Sequence, residues 1–298
     1  MPRSLAKVSR ASISAFFREL CYNPRNTHRA HLEKIYDGLL EPCLANKSHY
    51  VRGTHSSLST VQVQYHDYSN FAIPDFFSGL GYVLAHLHPC QSSYNLKSLT
   101  QLLSQYSEWC RISALLLEVN PPTVVQLLWS MKCRRFSLAS SVAAGRGDGR
   151  EDVREERVKS LEAVWHDPLT NPTPVQQKHA LEGTCKIVDP SAELFGTPWG
   201  HCGESVSFAS LFETIHSASP LATLALSVKS MTCMIPGTNI VPVQVIPHLN
   251  RFSDIVEVLR VSGSLRPMCL NCQHLARGRI KDYAYSFMAE DYCIHAAM

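Results

Sequence analysis

A helical pattern runs from Leu96 to Val119 and stops at Pro121-Pro122. Leu99, Leu102, Leu103, Tyr106 and Trp109 recur at three- and four-residue spacing, and the nearly all-apolar Ile112–Leu117 follows them. A stripe of that kind has to be buried against something. The proline pair ends it, and Thr123–Met131 beyond reads as a further short helix. His31–Leu44 repeats the pattern with Leu32, Ile35, Tyr36, Leu39 and Leu40. Val61, Val63 and Tyr65 alternate with polar residues, which predicts a strand within Val61–Tyr68. Residues 1–135 are therefore expected to form a mainly helical region.

The character of the chain changes next. Gly145-Arg-Gly-Asp-Gly149 leads into a charge-dense stretch with almost no large apolar residue. Residues 136–172 read as a flexible charged linker, with order resuming near Pro172–Pro174. The Arg146–Asp148 triplet fits a solvated loop. From 173 to 298 the pattern is mixed. Cys185–Val188 suggests a short strand and Ser205–His216 a helix. Leu221–Val228, bounded by Pro220 and Lys229, fits a buried strand. Pro242 excludes a regular central strand through Ile240–Ile246, and Phe252–Val261 reads as a helix. A last helix is expected around Cys269–Leu275. The order strand, helix, strand, helix predicts an α/β domain.

Composition narrows the function classes. Hydrophobic residues make up 45% and charged residues 18%, enough for a packed core. The net charge of +3 predicts no strong pull on nucleic acid or anionic membrane. No apolar run approaches the roughly 20 residues of a membrane span. Eleven cysteines without a secretory signal point to buried thiols and metal ligands rather than a disulfide framework. A cytoplasmic or nuclear location is expected. The alternative of a mitochondrial presequence rests on Arg3, Lys7, Arg10 and Arg18 with no acid before Glu19.

Two motifs carry the chemistry: Gly200-His-Cys-Gly-Glu204, just before a helical pattern, and Arg266-Pro-Met-Cys-Leu-Asn-Cys272. A catalytic zinc takes three protein ligands and keeps a fourth position for water. The thiolates of Cys202, Cys269 and Cys272 suffice as the three. Glu204, two residues after Cys202, is placed to take a proton from the attacking water and deliver it to a departing amine. His201 is the alternative ligand beside Cys202. Closing the site with His201, Cys202, Cys269 and Cys272 would make it purely structural. In a third reading Cys202, between two glycines before a helix, is an acyl-transfer nucleophile, with His248, His274 or His295 as base. His86 and His88 near Cys90 do not share a helical face, and capping or surface roles account for them.

The order of these motifs resembles the cytidine deaminase-like superfamily, whose signature is His- or Cys-x-Glu followed by Pro-Cys-x-x-Cys. Trp199-Gly-His-Cys-Gly-Glu204 with Cys269-Leu-Asn-Cys272 is similar, in particular, to uncharacterised deaminase-like proteins abundant in fungi. The match covers about the last 125 residues. The resemblance implies a three-layer α/β sandwich, Zn2+ on Cys202, Cys269 and Cys272, and Glu204 as proton shuttle. It implies a nucleobase-containing substrate, free or in nucleic acid, and is compatible with a homo-oligomer. Trp199 and Asn271 are candidates to line the substrate pocket. Residues 173–298 carry nine Lys plus Arg against ten Asp plus Glu, which favours a small substrate over a long polyanion. The alternative is an inactive, zinc-stabilised interaction module.

Overall fold

A computed structural model describes residues 9–46, 61–64, 70–88, 96–130, 135–143, 153–159, 200–211 and 221–266, together with Cys272. It is a mixed helix-and-sheet structure. Among the described residues, five helices lie in the first half: α1 (Arg10–Cys21), α2 (Arg29–Ile35), α3 (Glu41–Ala45), α4 (Phe76–Leu87) and α5 (Leu96–Leu117). A π-helical turn, Tyr36–Leu40, joins α2 to α3. Strands β1 (Val61–Gln64) and β2 (Asn70–Ile73) form a small antiparallel pair. The main sheet consists of β3 (Val124–Ser130), β4 (Arg135–Ser140) and β5 (Leu221–Ser227) in the order β4-β3-β5, all antiparallel.

Residues 153–159 form a short helix, α6. Helix α7 (Gly203–Ser210) precedes β5, and α8 (Val228–Thr232), α9 (Pro242–Val245), a 3-10 turn (Ile246–His248) and α10 (Phe252–Val261) follow it. Pro242 starts a helical turn, where its missing N–H costs nothing.

The register sorts the sheet into two unlike faces. Val125, Leu127, Leu138, Leu224 and Leu226 share one face and are buried. Gln126, Leu128, Ser137, Ala139, Thr223 and Ala225 share the other. Helix α7 lies on this second face. Ser207 Oγ donates to Gln126 Oε1 (2.8 Å), Gln126 Nε2 donates to Thr223 Oγ1 (2.9 Å), and Ser210 Oγ donates to Ser137 Oγ (2.8 Å). Buried amides and hydroxyls are tolerated there because each meets a partner. Helices α4 and α5 pack against the apolar face, α4 so closely that a Cβ on Gly81 would sit 2.2 Å from the Leu138 carbonyl oxygen. At the helix ends Asp75 caps α4, accepting from Ser78 N (3.0 Å) and Ser78 Oγ (2.6 Å). Trp109 of α5 meets the edges of Phe16 and Phe17 at ring-centroid distances of 5.7 and 5.2 Å.

Three sequence expectations change. Thr123–Met131, expected as a helix, is strand β3 over Val124–Ser130. A short apolar run has no period that separates the two forms, and here hydrogen-bonded neighbours on both sides decide for strand. Part of the 136–172 segment expected as linker is structured as well. Residues 136–140 belong to β4, and 153–159 form α6. The sheet, moreover, runs across the expected boundary between the 1–135 region and the 173–298 domain. β3 lies before that boundary and β5 after it, yet they pair along their whole length, from Val124 opposite Ser227 to Ser130 opposite Leu221. One hydrophobic cluster extends from Ile13 to Cys272. The expectations for Leu221–Val228, Phe252–Val261 and Leu96–Val119 agree with β5, α10 and α5. Cys185–Val188 lies outside the described residues, as do residues 269–271 and 273–275 of the expected last helix.

Candidate metal centre

The site is built on the turn that enters α7. Gly200 has φ +83°, a left-handed conformation, and a Cβ there would lie 2.5 Å from the Arg154 carbonyl oxygen of α6. Only glycine meets both demands. The turn is tied to the end of β4 by Val142 N donating to the His201 carbonyl (2.9 Å). Cys202 is the N-cap of α7, extended at φ −81°, ψ 149°. Gly203 then lets the helix start against β4, because a Cβ there would be 3.1 Å from the backbone of Ala139 and Ser140. The Cys-Gly-Glu spacing thus follows from packing as well as chemistry.

This geometry brings Cys202, Glu204 and Cys272 together. Their ligand atoms all lie within 4.8 Å of one another. Glu204 is 5% exposed and Cys272 1%, while Cys202 is half-buried and opens the site. Burying a carboxylate beside thiols is costly unless a cation or hydrogen bonds offset it. Two thiols and a carboxylate are a donor set suited to zinc. These three side chains are donors of a kind that would hold such an ion, and Cys202 is the partly exposed one among them. His201 is buried next to Cys202, yet the convergent group among the described residues comprises Cys202 and not His201. Cys269, Trp199 and Asn271 lie outside the described residues.

No family model, curated protein or solved structure matches this chain.

A buried ion pair that the sequence reading missed braces the same turn. Arg157 of α6, 1% exposed, donates through Nη2 to Asp75 Oδ2 at 2.7 Å and through Nε to the same oxygen at 3.1 Å. Its Nη1 reaches the carbonyl oxygens of Ser140 (2.9 Å) and Gly200 (3.4 Å), and Nη2 reaches Ser78 Oγ (3.2 Å). Burial by itself would raise the Asp75 carboxyl. The Arg157 guanidinium and the hydrogen bonds from Ser78 outweigh it and hold the acid below its ordinary value. Asp75 had a legible signal, an acid just ahead of an apolar helical run. Arg157 had none, since it stands among Arg154, Glu155, Glu156 and Lys159 and reads as one more solvated charge.

The buried Cys21 and Cys43 are of another kind. Burial first, then nearby carboxylates, pushes the Cys21 and Cys43 thiols up to about 12. Such thiols pack as small apolar groups, and burial disfavours the thiolate that nucleophilic chemistry requires.

Proposed function

We propose that the protein is a zinc-dependent hydrolytic deaminase acting on a nucleobase, free or within a nucleoside, nucleotide or nucleic acid. The observation that carries this reading is the convergence of Cys202, Glu204 and Cys272 at the start of α7. A sheet covered on one face by α7 and on the other by α4 and α5 supports the cytidine deaminase-like sandwich implied by the two motifs.

In this reading Cys202, Cys269 and Cys272 hold the ion. Zinc, when bound, supplies a Lewis acid that makes water a nucleophile at neutral pH. The overall change replaces a ring amino group by a carbonyl, consuming one water and releasing ammonia. Glu204 carries the protons of that exchange, accepting one from the attacking water on its carboxylate and passing it to the departing nitrogen. Its burial shields that transfer from bulk solvent, and Gly203 fixes the helix start from which it projects.

The test combines metal content with ammonia release from bases, nucleosides and single-stranded oligonucleotides. Wild type is expected to hold about one zinc per chain, and Cys202→Ser, Cys269→Ser and Cys272→Ser to lose most of it. Glu204→Gln is expected to keep zinc and to lose turnover by a factor of about 100 or more. Wild-type protein purified without chelators and free of zinc would overturn the reading.

One observation favours a second reading. The Glu204 carboxylate belongs to the same 4.8 Å group as the thiols, so it is within reach of the ion as a ligand. A Cys–Glu–Cys set of that kind would make a structural site in an interaction module. Loss of zinc in Glu204→Gln, with no ammonia released by wild type from any of these substrates, would favour it.

A further inference from the structure

The grip of α6 on the turn before α7 reaches beyond the two cysteine motifs. Arg157 spends its donors on three elements at once: the cap of α4 at Asp75, the end of β4 at Ser140, and the metal-centre turn at Gly200. Gly200 in turn is pressed against the Arg154 carbonyl of the same helix. Cys202 follows two residues later, so the place of its thiol relative to Cys272 depends on where that turn is held. A surface helix serving only to cover apolar area would turn Val153 and Val158 inward and leave its arginines in water. Here the guanidinium is buried instead, at a desolvation cost that a general packing role does not require.

We propose that Arg157 is a positioning residue for the thiol pair, fixing the Gly200–Cys202 turn so that Cys202 meets Cys272 and Glu204. It touches neither the ion nor the substrate and acts through the Gly200 carbonyl. The planar guanidinium is required because its donors diverge, which lets one side chain serve a carboxylate and two carbonyls together. A lysine ammonium at this position keeps the charge opposite Asp75 but lacks that fork.

The proposal rests on the grouping of Cys202 with Cys272, and its test separates that grouping from the zinc reading. Phenylarsine oxide binds two neighbouring thiols, forming two As–S bonds while its oxygen leaves as water with both thiol protons. Its affinity is measured on the full chain carrying Cys269→Ser, so that the CxxC motif cannot supply both thiols. Cys202→Ser in the same background is the blank. Arg157→Lys is expected to weaken the Cys202-dependent binding at least tenfold while unfolding in urea stays cooperative. Leu259→Ala, in α10, which packs against α5, serves as a control for lost stability and is expected to leave binding within about threefold. Arg157→Lys binding the arsenical like its parent would overturn the proposal, as would absence of Cys202-dependent binding in the parent. Arsenical binding that responds to Arg157→Lys, in a protein that takes up no zinc, would sustain the positioning role and remove the deaminase reading.

Discussion

At the scale of the residue, the site and its brace differ in how they show themselves. Cys202, Glu204 and Cys272 stand out in the sequence by residue type and spacing within two short motifs, and the structure brings these three within 4.8 Å of one another. Arg157 does not stand out, because a charge in a polar run looks the same whether it faces water or a buried carboxylate. The Asp75–Arg157 pair has a consequence for acid stability. Asp75 is held below its ordinary value of 3.8, so its contribution to stability is complete above the pKa of the unfolded chain. It is lost as pH falls through the lower, folded value. Urea unfolding midpoints taken from pH 7 down to pH 3 are therefore expected to drop more steeply below about pH 4 in wild type than in Asp75→Asn. The variant starts from lower stability at pH 7, because it leaves Arg157 buried opposite a neutral amide. Parallel curves for the two proteins would contradict the role given to this pair.

At the scale of the element, periodicity identified α5, α10 and β5 because each is long or cleanly bounded. It missed β3, whose Val124–Ser130 run is too short to show a period and whose state is set by pairing with two strands, the adjacent β4 and the distant β5. The contact between α4 and β4 was equally hidden, although a glycine inside an apolar helix signals close approach. Gly81 lies where any side chain would strike the Leu138 carbonyl oxygen, with Tyr106 Oη also 3.1 Å away. Gly81→Ala gains helix propensity but must push α4 off the sheet. It is expected to destabilise the protein by about 3 kcal/mol, read as a lower urea midpoint. A neutral or stabilising effect would mean that α4 and β4 are not packed this closely. Gly203→Ala meets gentler contacts of 3.1 Å and is expected to cost about 1 kcal/mol, while displacing the start of α7 and so weakening zinc retention.

At the scale of the whole molecule, the break in composition near residue 145 suggested two independent parts, and the sheet joins them instead. Composition reports which residues face water locally; it carries no information about which strands find each other. Because β3 completes the sheet that carries α7, a fragment of residues 173–298 lacks β3, β4 and the helices behind them. That fragment is expected to show no cooperative unfolding transition and to hold zinc far more weakly than the full chain, as judged by circular dichroism and metal content. A cooperatively folded, zinc-loaded fragment would restore the boundary read from the sequence. The same pairing matters before the protein is finished. About ninety residues separate the end of β3 from the start of β5, so at a synthesis rate of about 5–20 residues per second β3 leaves the ribosome roughly 5 to 18 s ahead of its partner. For that interval its Val-Val-Gln-Leu-Leu-Trp edge has β4 on one side and nothing from the later chain on the other. An apolar strand edge of this kind is a template for pairing with other nascent chains. Whatever covers that edge until β5 arrives limits such pairing.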